Sequence, residues 1–102
     1  MDPKKFQTPY AVIFTSKLKT KSKAYEEMAS KMFSLAQEQK GFLGIESARE
    51  DIGITVSYWK DLESIKTWKE NAAHQIAQEL GRNKWYAAYK VRIAKVERQY
   101  DF

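Results

Sequence analysis

Residues 53–81, GITVSYWKDLESIKTWKENAAHQIAQELG, carry the pattern that decides the fold. Ile54, Val56 and Tyr58 alternate with Thr55, Ser57 and Trp59 at the period of two that marks a strand. Lys60 and Asp61 break that rhythm. Asp61 is placed to accept from the first free amides of a helix, because Leu62, Ile65, Trp68, Ala72, Ile76 and Leu80 then recur three and four residues apart. Gly81 falls where the helix should stop. The segment also holds His74, the one histidine of the chain and the one side chain whose ordinary titration lies near neutral pH.

Upstream, Phe42 to Ala48 reads as a strand joined to Ile54–Trp59 by a hairpin through Glu50, Asp51, Ile52 and Gly53. Before it, Ser22 can cap a helix whose inward stripe is Tyr25, Met28, Ala29, Met32, Leu35 and Ala36, with Glu26 and Glu27 near its positive end. Gly41 ends that helix. Tyr10 to Leu18 is the first strand, with Val12 and Phe14 on one face and Ala11 and Ile13 on the other. Downstream of Gly81, Arg82 to Ala88 reads as a short helical piece carrying Trp85 and Tyr86, and Tyr89 to Tyr100 as a long last strand. The second helix is expected to falter near Asn71.

Strand, helix, strand, strand, helix, strand is the pattern of an α+β, ferredoxin-like antiparallel sheet with both helices on one face. At 102 residues and 43% apolar, the chain is one domain, with residues 1–9 as a tail and 10–102 as the fold. Two helices cover one face of the sheet, yet the strands are apolar on both. A second copy of the chain is the simplest cover, since closed two-fold dimers are the commonest oligomers.

Cysteine is absent, which excludes thiolate chemistry and a disulfide scaffold and fits a cytoplasmic location. No apolar run is long enough for a membrane span. The net charge of +5 comes from the first 23 residues, where Lys4, Lys5, Lys17, Lys19, Lys21 and Lys23 face only Asp2. A run of that kind most often forms a solvated, edge-protecting face. Lys40, Gly41 and Phe42 open like an RNA-recognition strand, but Gly44 and Ser47 stand where further aromatics belong, so RNA binding stands only as a weak alternative that rests on the basic net charge. Phosphate loops, dinucleotide fingerprints, nucleophile elbows and paired-histidine metal sites have no match, and no metal is expected.

His74 is then the candidate acid or base. It lies off the Leu62, Ile65, Trp68, Ile76 stripe, where a histidine is ordinarily solvent-facing or hydrogen-bonded, and a break at Asn71 would turn it inward. Trp59, Trp68 and Trp85 are ordinarily core residues. Three indoles, each with an N–H that needs a partner when buried, are many for so small a core, and some are expected to line a cavity.

GFLGIESAR from Gly41, GITVSYWKDLESIKTWK from Gly53, His74, and LGRNKWYAAYKVRIAKVERQY from Leu80 together resemble the antibiotic biosynthesis monooxygenase family. The resemblance implies a homodimer of ferredoxin-like subunits, a dimeric α+β barrel, with a pocket between each sheet and its helices. Family members include oxygenases of aromatic polyketides or quinols that use neither metal nor flavin, haem-degrading enzymes, and proteins without an established substrate. Trp68 matches the pocket tryptophan of the second helix. His74 stands where the polyketide branch has a tyrosine, and Ser64 where it has an asparagine. Ser16 and Gln78 replace the asparagine and histidine on which the haem branch depends, so weak or non-specific haem binding is expected.

The expected function is therefore a cofactor-independent monooxygenase acting on a small aromatic or quinol-type molecule. His74 and Trp68 would be its catalytic residues, as base and pocket wall. Trp59, Ser64, Asn71 and Trp85 would bind substrate. The alternative of a different class is a non-catalytic ligand-binding or stress-response dimer.

Overall fold

The computed structural model describes residues 8–20, 22–79 and 86–101, with the side chains of residues 73–79 excepted. The elements run β1 (Tyr10–Leu18), α1 (Lys23–Gln37), β2 (Phe42–Arg49), β3 (Gly53–Trp59), α2 (Leu62–Glu79) and β4 (Tyr86–Lys95). Their sheet is antiparallel in the order β2-β3-β1-β4, so β3 and β1 are the central strands. This is the expected α+β ferredoxin-like architecture.

Local signals act at each junction. The Ser22 hydroxyl accepts from the Tyr25 amide at 3.1 Å and caps α1. Ser22→Ala should lower stability by about 1 kcal/mol, the usual cost of a lost cap, read as a shift in the urea midpoint at constant slope. Asp61 caps α2 in the same way, accepting from the Ser64 amide at 2.7 Å, and hydrogen bonds from the Ser64 hydroxyl and then this amide, with the nearby Lys60 and Lys40, hold its carboxyl below the usual aspartate range. Gly41 adopts φ 90°, where an L side chain is strained, and an added Cβ would run into the Ser64 hydroxyl.

Three expectations are corrected. Helix α2 does not falter at Asn71; the Asn71 amide donates to Gln39 Oε1 at 3.1 Å, so its side chain does not compete for the helix backbone. Tyr86 to Ala88 belong to β4, because Tyr86 pairs with Leu18 across an irregularity at Lys17/Leu18. Residues 82–85, including Trp85, lie outside the described residues. The strand also ends at Lys95 rather than Tyr100: Lys95 pairs with Tyr10, Val96 donates to the Pro9 carbonyl at 2.9 Å, and Pro9 has no N–H to carry the ladder further.

The core sits between sheet and helices at the end where β3 finishes. Ala36, Trp59 and Ile65 are buried there, with Tyr10, Val12, Phe42 and Trp68 packed around them. Of the expected inward residues, Ala29 is exposed, and Leu62, at the very start of α2, is 53% exposed. On the face away from the helices the pleat places Ala11, Ile13, Val56, Tyr58 and Ile54, with Ile54 exposed. On the helix-side face of the edge strand β4, Tyr89, Val91 and Ile93 are each about half exposed.

Candidate functional site

Two clusters on the helix-side face of the sheet carry chemistry. The first is aromatic. Trp59 ends β3 and is 0% exposed, and its indole N–H donates to the Ser57 hydroxyl at 2.9 Å, so its polar atom has a partner inside. Trp68 projects from α2 and stacks on it, with ring centroids 5.8 Å apart and planes 23° from parallel. Phe42 meets Trp59 edge-on at 5.4 Å. Trp59 is thus the buried backing of Trp68, which keeps part of its surface outside the core.

Around this cluster stand two more of the expected residues. Ser64 is half-buried beside Gly41, and Asn71 is exposed and bonded to Gln39. The backbone at His74 is helical, but its side chain lies outside the described residues, as does Trp85.

The second cluster lies six residues back along β3, about 20 Å from Trp59 at the usual strand rise. Arg49, Gly53, Ser16 and Tyr89 form one rung across all four strands. A Cβ on Gly53 would occupy the space of the Arg49 guanidinium, so glycine lets that side chain lie flat across β3. Arg49 reaches β1, where it donates to the Ser16 hydroxyl and, at 3.4 Å, to the Ser16 carbonyl. Ser16 is 3% exposed. The guanidinium carbon also stands 5.8 Å from the centre of the Tyr25 ring, within cation–π range.

Aromatic rings close round this rung. Tyr86 meets Tyr25 at 5.8 Å and Phe14 at 5.4 Å, both edge-on, and Tyr89 stacks on Phe14 at 5.7 Å. Burial, then a hydrogen bond with Tyr25, pushes the Tyr86 hydroxyl far above the ordinary tyrosine range, against the opposing pull of Arg49. The folded protein thus keeps a proton that the unfolded chain releases near pH 10.0. The associated stability is whole below that pH and is lost as pH rises above it. Tyr86→Phe should accordingly flatten the decline of the thermal midpoint above pH 10, and an identical decline in both proteins would contradict this assignment.

The sequence pointed to the tryptophans and passed over Arg49, Tyr25 and Tyr86 as a group. One signal was present: an arginine and a glycine flank a three-residue hairpin loop, where they must face each other across the strands.

Set against known proteins, residues 4–95 match the family model described as monooxygenase af470-like. The chain belongs to this monooxygenase family. The uncharacterized protein YqjZ of Bacillus subtilis (strain 168) is 51% identical over 92 residues, covering 88% of this chain and 81% of that protein. Among solved structures, SnoaB from Streptomyces nogalater, a cofactor-independent oxygenase, superposes with a TM-score of 0.70 at 9% identity, over 91% of this chain and 97% of its own. A variant of MhuD with two manganese protoporphyrin IX molecules bound per active site superposes with a TM-score of 0.67 at 18% identity, over 92% of this chain and all of that one. At such identities these two structures establish the shared fold.

Proposed function

We propose that the protein is a cytoplasmic, homodimeric, cofactor-independent monooxygenase of a small aromatic or quinol-type molecule held between the sheet and its helices. Membership of the monooxygenase family supports the reaction class. The observation that carries the choice of an aromatic substrate is Trp68, a partly open indole fixed in orientation by stacking on the fully buried Trp59. A rigid, flat, apolar wall of that kind suits a planar ring. Among the described residues no helix is long and apolar enough to cross a membrane.

In the proposed reaction His74 takes the proton of an activated phenol, and the phenolate passes one electron to molecular oxygen. The resulting radical pair joins at a ring carbon as a peroxide. Return of the proton and loss of water then leave a ring carbonyl, so one oxygen atom enters the product and the other leaves as water. Exclusion of water around the anion strengthens the electrostatic interactions that hold it. Ser64 and Asn71 stand on α2 as hydrogen-bonding groups for the substrate, with Trp59 behind the wall and Trp85 a further candidate.

The haem reading is weaker on a specific ground. Ser16, which stands where the haem branch has its asparagine, is buried and already accepts from Arg49. The apolar face carrying Ile13, Ile54 and Val56 is the one that a second copy would cover.

A screen of phenols and quinols for oxygen uptake, on protein whose mass is followed by light scattering, tests the proposal. Uptake by a dimer with one class of hydroxyaromatic is the expected result. Ligand binding without uptake would make the protein a binding dimer instead. A monomer mass at micromolar concentration would remove the barrel.

A further inference from the structure

We propose that Arg49, laid across Gly53 and anchored on Ser16, is a binding site for the oxyanion of an acidic hydroxyaromatic ligand. The inference rests on the proposed function for the aromatic nature of that ligand. The charge itself rests on geometry. Among the described residues no carboxylate pairs with the half-buried guanidinium; its hydrogen-bond partners are the hydroxyl and carbonyl of Ser16. A guanidinium has five N–H donors in a rigid planar fork, and two of them are used here. A positive charge withdrawn from water without a counter-charge is unfavourable, and an arriving anion relieves it.

The site is also built rather than incidental. Arg49 could not lie where it does across β3 if residue 53 had a side chain, and the buried Ser16 hydroxyl accepts from its guanidinium there. Its neighbours Tyr25, Tyr86 and Phe14 present rings rather than charges. Because the Tyr86 phenol stays protonated, it does not repel a negative oxygen. An oxyanion conjugated to a flat ring matches both parts, the charge on the fork and the ring among the aromatics. A purely structural strap tying β2 to β1 is the competing account. It predicts a stability loss on removing Arg49 with no effect on which ligands bind.

Calorimetric titration of the full-length protein with 2-hydroxy-1,4-naphthoquinone and with 2-methoxy-1,4-naphthoquinone separates these accounts, since the first is an anion at neutral pH and the second is a neutral molecule of nearly the same shape. The expected result is at least tenfold tighter binding of the anion, an advantage that shrinks as salt rises. Arg49→Gln should abolish the difference between the two quinones while leaving the weak binding of the methoxy compound. Gly53→Ala should have the same effect with the charge retained, because it displaces the guanidinium from Ser16, and it decides the matter if Arg49→Gln does not fold. Equal binding of the two quinones by the unaltered protein, no binding of either, or a preference that survives both substitutions would overturn the proposal. Arg49-dependent preference without oxygen uptake by any phenol would leave this site standing and remove the monooxygenase reading. Oxygen uptake together with equal binding of the two quinones would do the reverse.

Discussion

Trp59→Ala should cost about 3–5 kcal/mol, the range for truncating a fully buried aromatic side chain. That is a large fraction of the roughly 5–15 kcal/mol that holds a domain of this kind together. Three separate losses contribute. The indole leaves a cavity against Ala36 and Ile65, Phe42 and Trp68 lose the ring they pack on, and the buried Ser57 hydroxyl loses its donor. Urea unfolding measures the effect directly. Trp68→Ala should cost less, because Trp68 is only partly buried, and its effect should appear instead in ligand affinity. Equal losses of stability from the two substitutions would contradict the division between backing and wall.

The second large effect concerns chemistry. In the proposed mechanism His74 is the base, so His74→Ala should reduce turnover of the best substrate by on the order of 10²- to 10⁴-fold, the usual contribution of general base catalysis. A base works when unprotonated, so the rate should fall on the acid side of the unaltered enzyme's pH profile. That acid limb should vanish in the variant. Thermal stability should change little if His74 lines the pocket as proposed, since removing a polar group from a pocket wall takes away little packing. A variant that keeps both the rate and the acid limb would take His74 out of the mechanism. The Arg49 rung would not supply the base in its place, because Tyr86 there is held protonated and unsuited to that task.

The two clusters differ in how visible they were before the fold was known. Trp59 and Trp68 stand out in the sequence as a strand end and a helix stripe, and the structure brings them into contact. Their unequal burial was not legible, because period-two and period-three-four patterns assign a face and not a depth. Ser16, Tyr25, Arg49 and Tyr86 belong to four different elements, and no local pattern links them. Their meeting depends on strand register, which a shift of one residue would turn to the opposite face.

The order of elements, the Ser22 and Asp61 caps, the turn at Gly41 and the membership of a monooxygenase family are written in neighbouring residues or in long stretches of similarity. The tertiary structure alone decided three things. It extended β4 back to Tyr86, where hydrogen bonding to β1 prevails over a helical turn, and ended it at Lys95, where Pro9 supplies no donor. It buried Trp59 and left Trp68 partly open. It also laid Arg49 over Gly53 onto Ser16, 33 residues away in the chain. The physical reason is common to all three. Caps and turns are settled by contacts within four residues, whereas ladder ends, burial depth and a charge's partners are settled only when distant segments compete for the same hydrogen bonds and the same space.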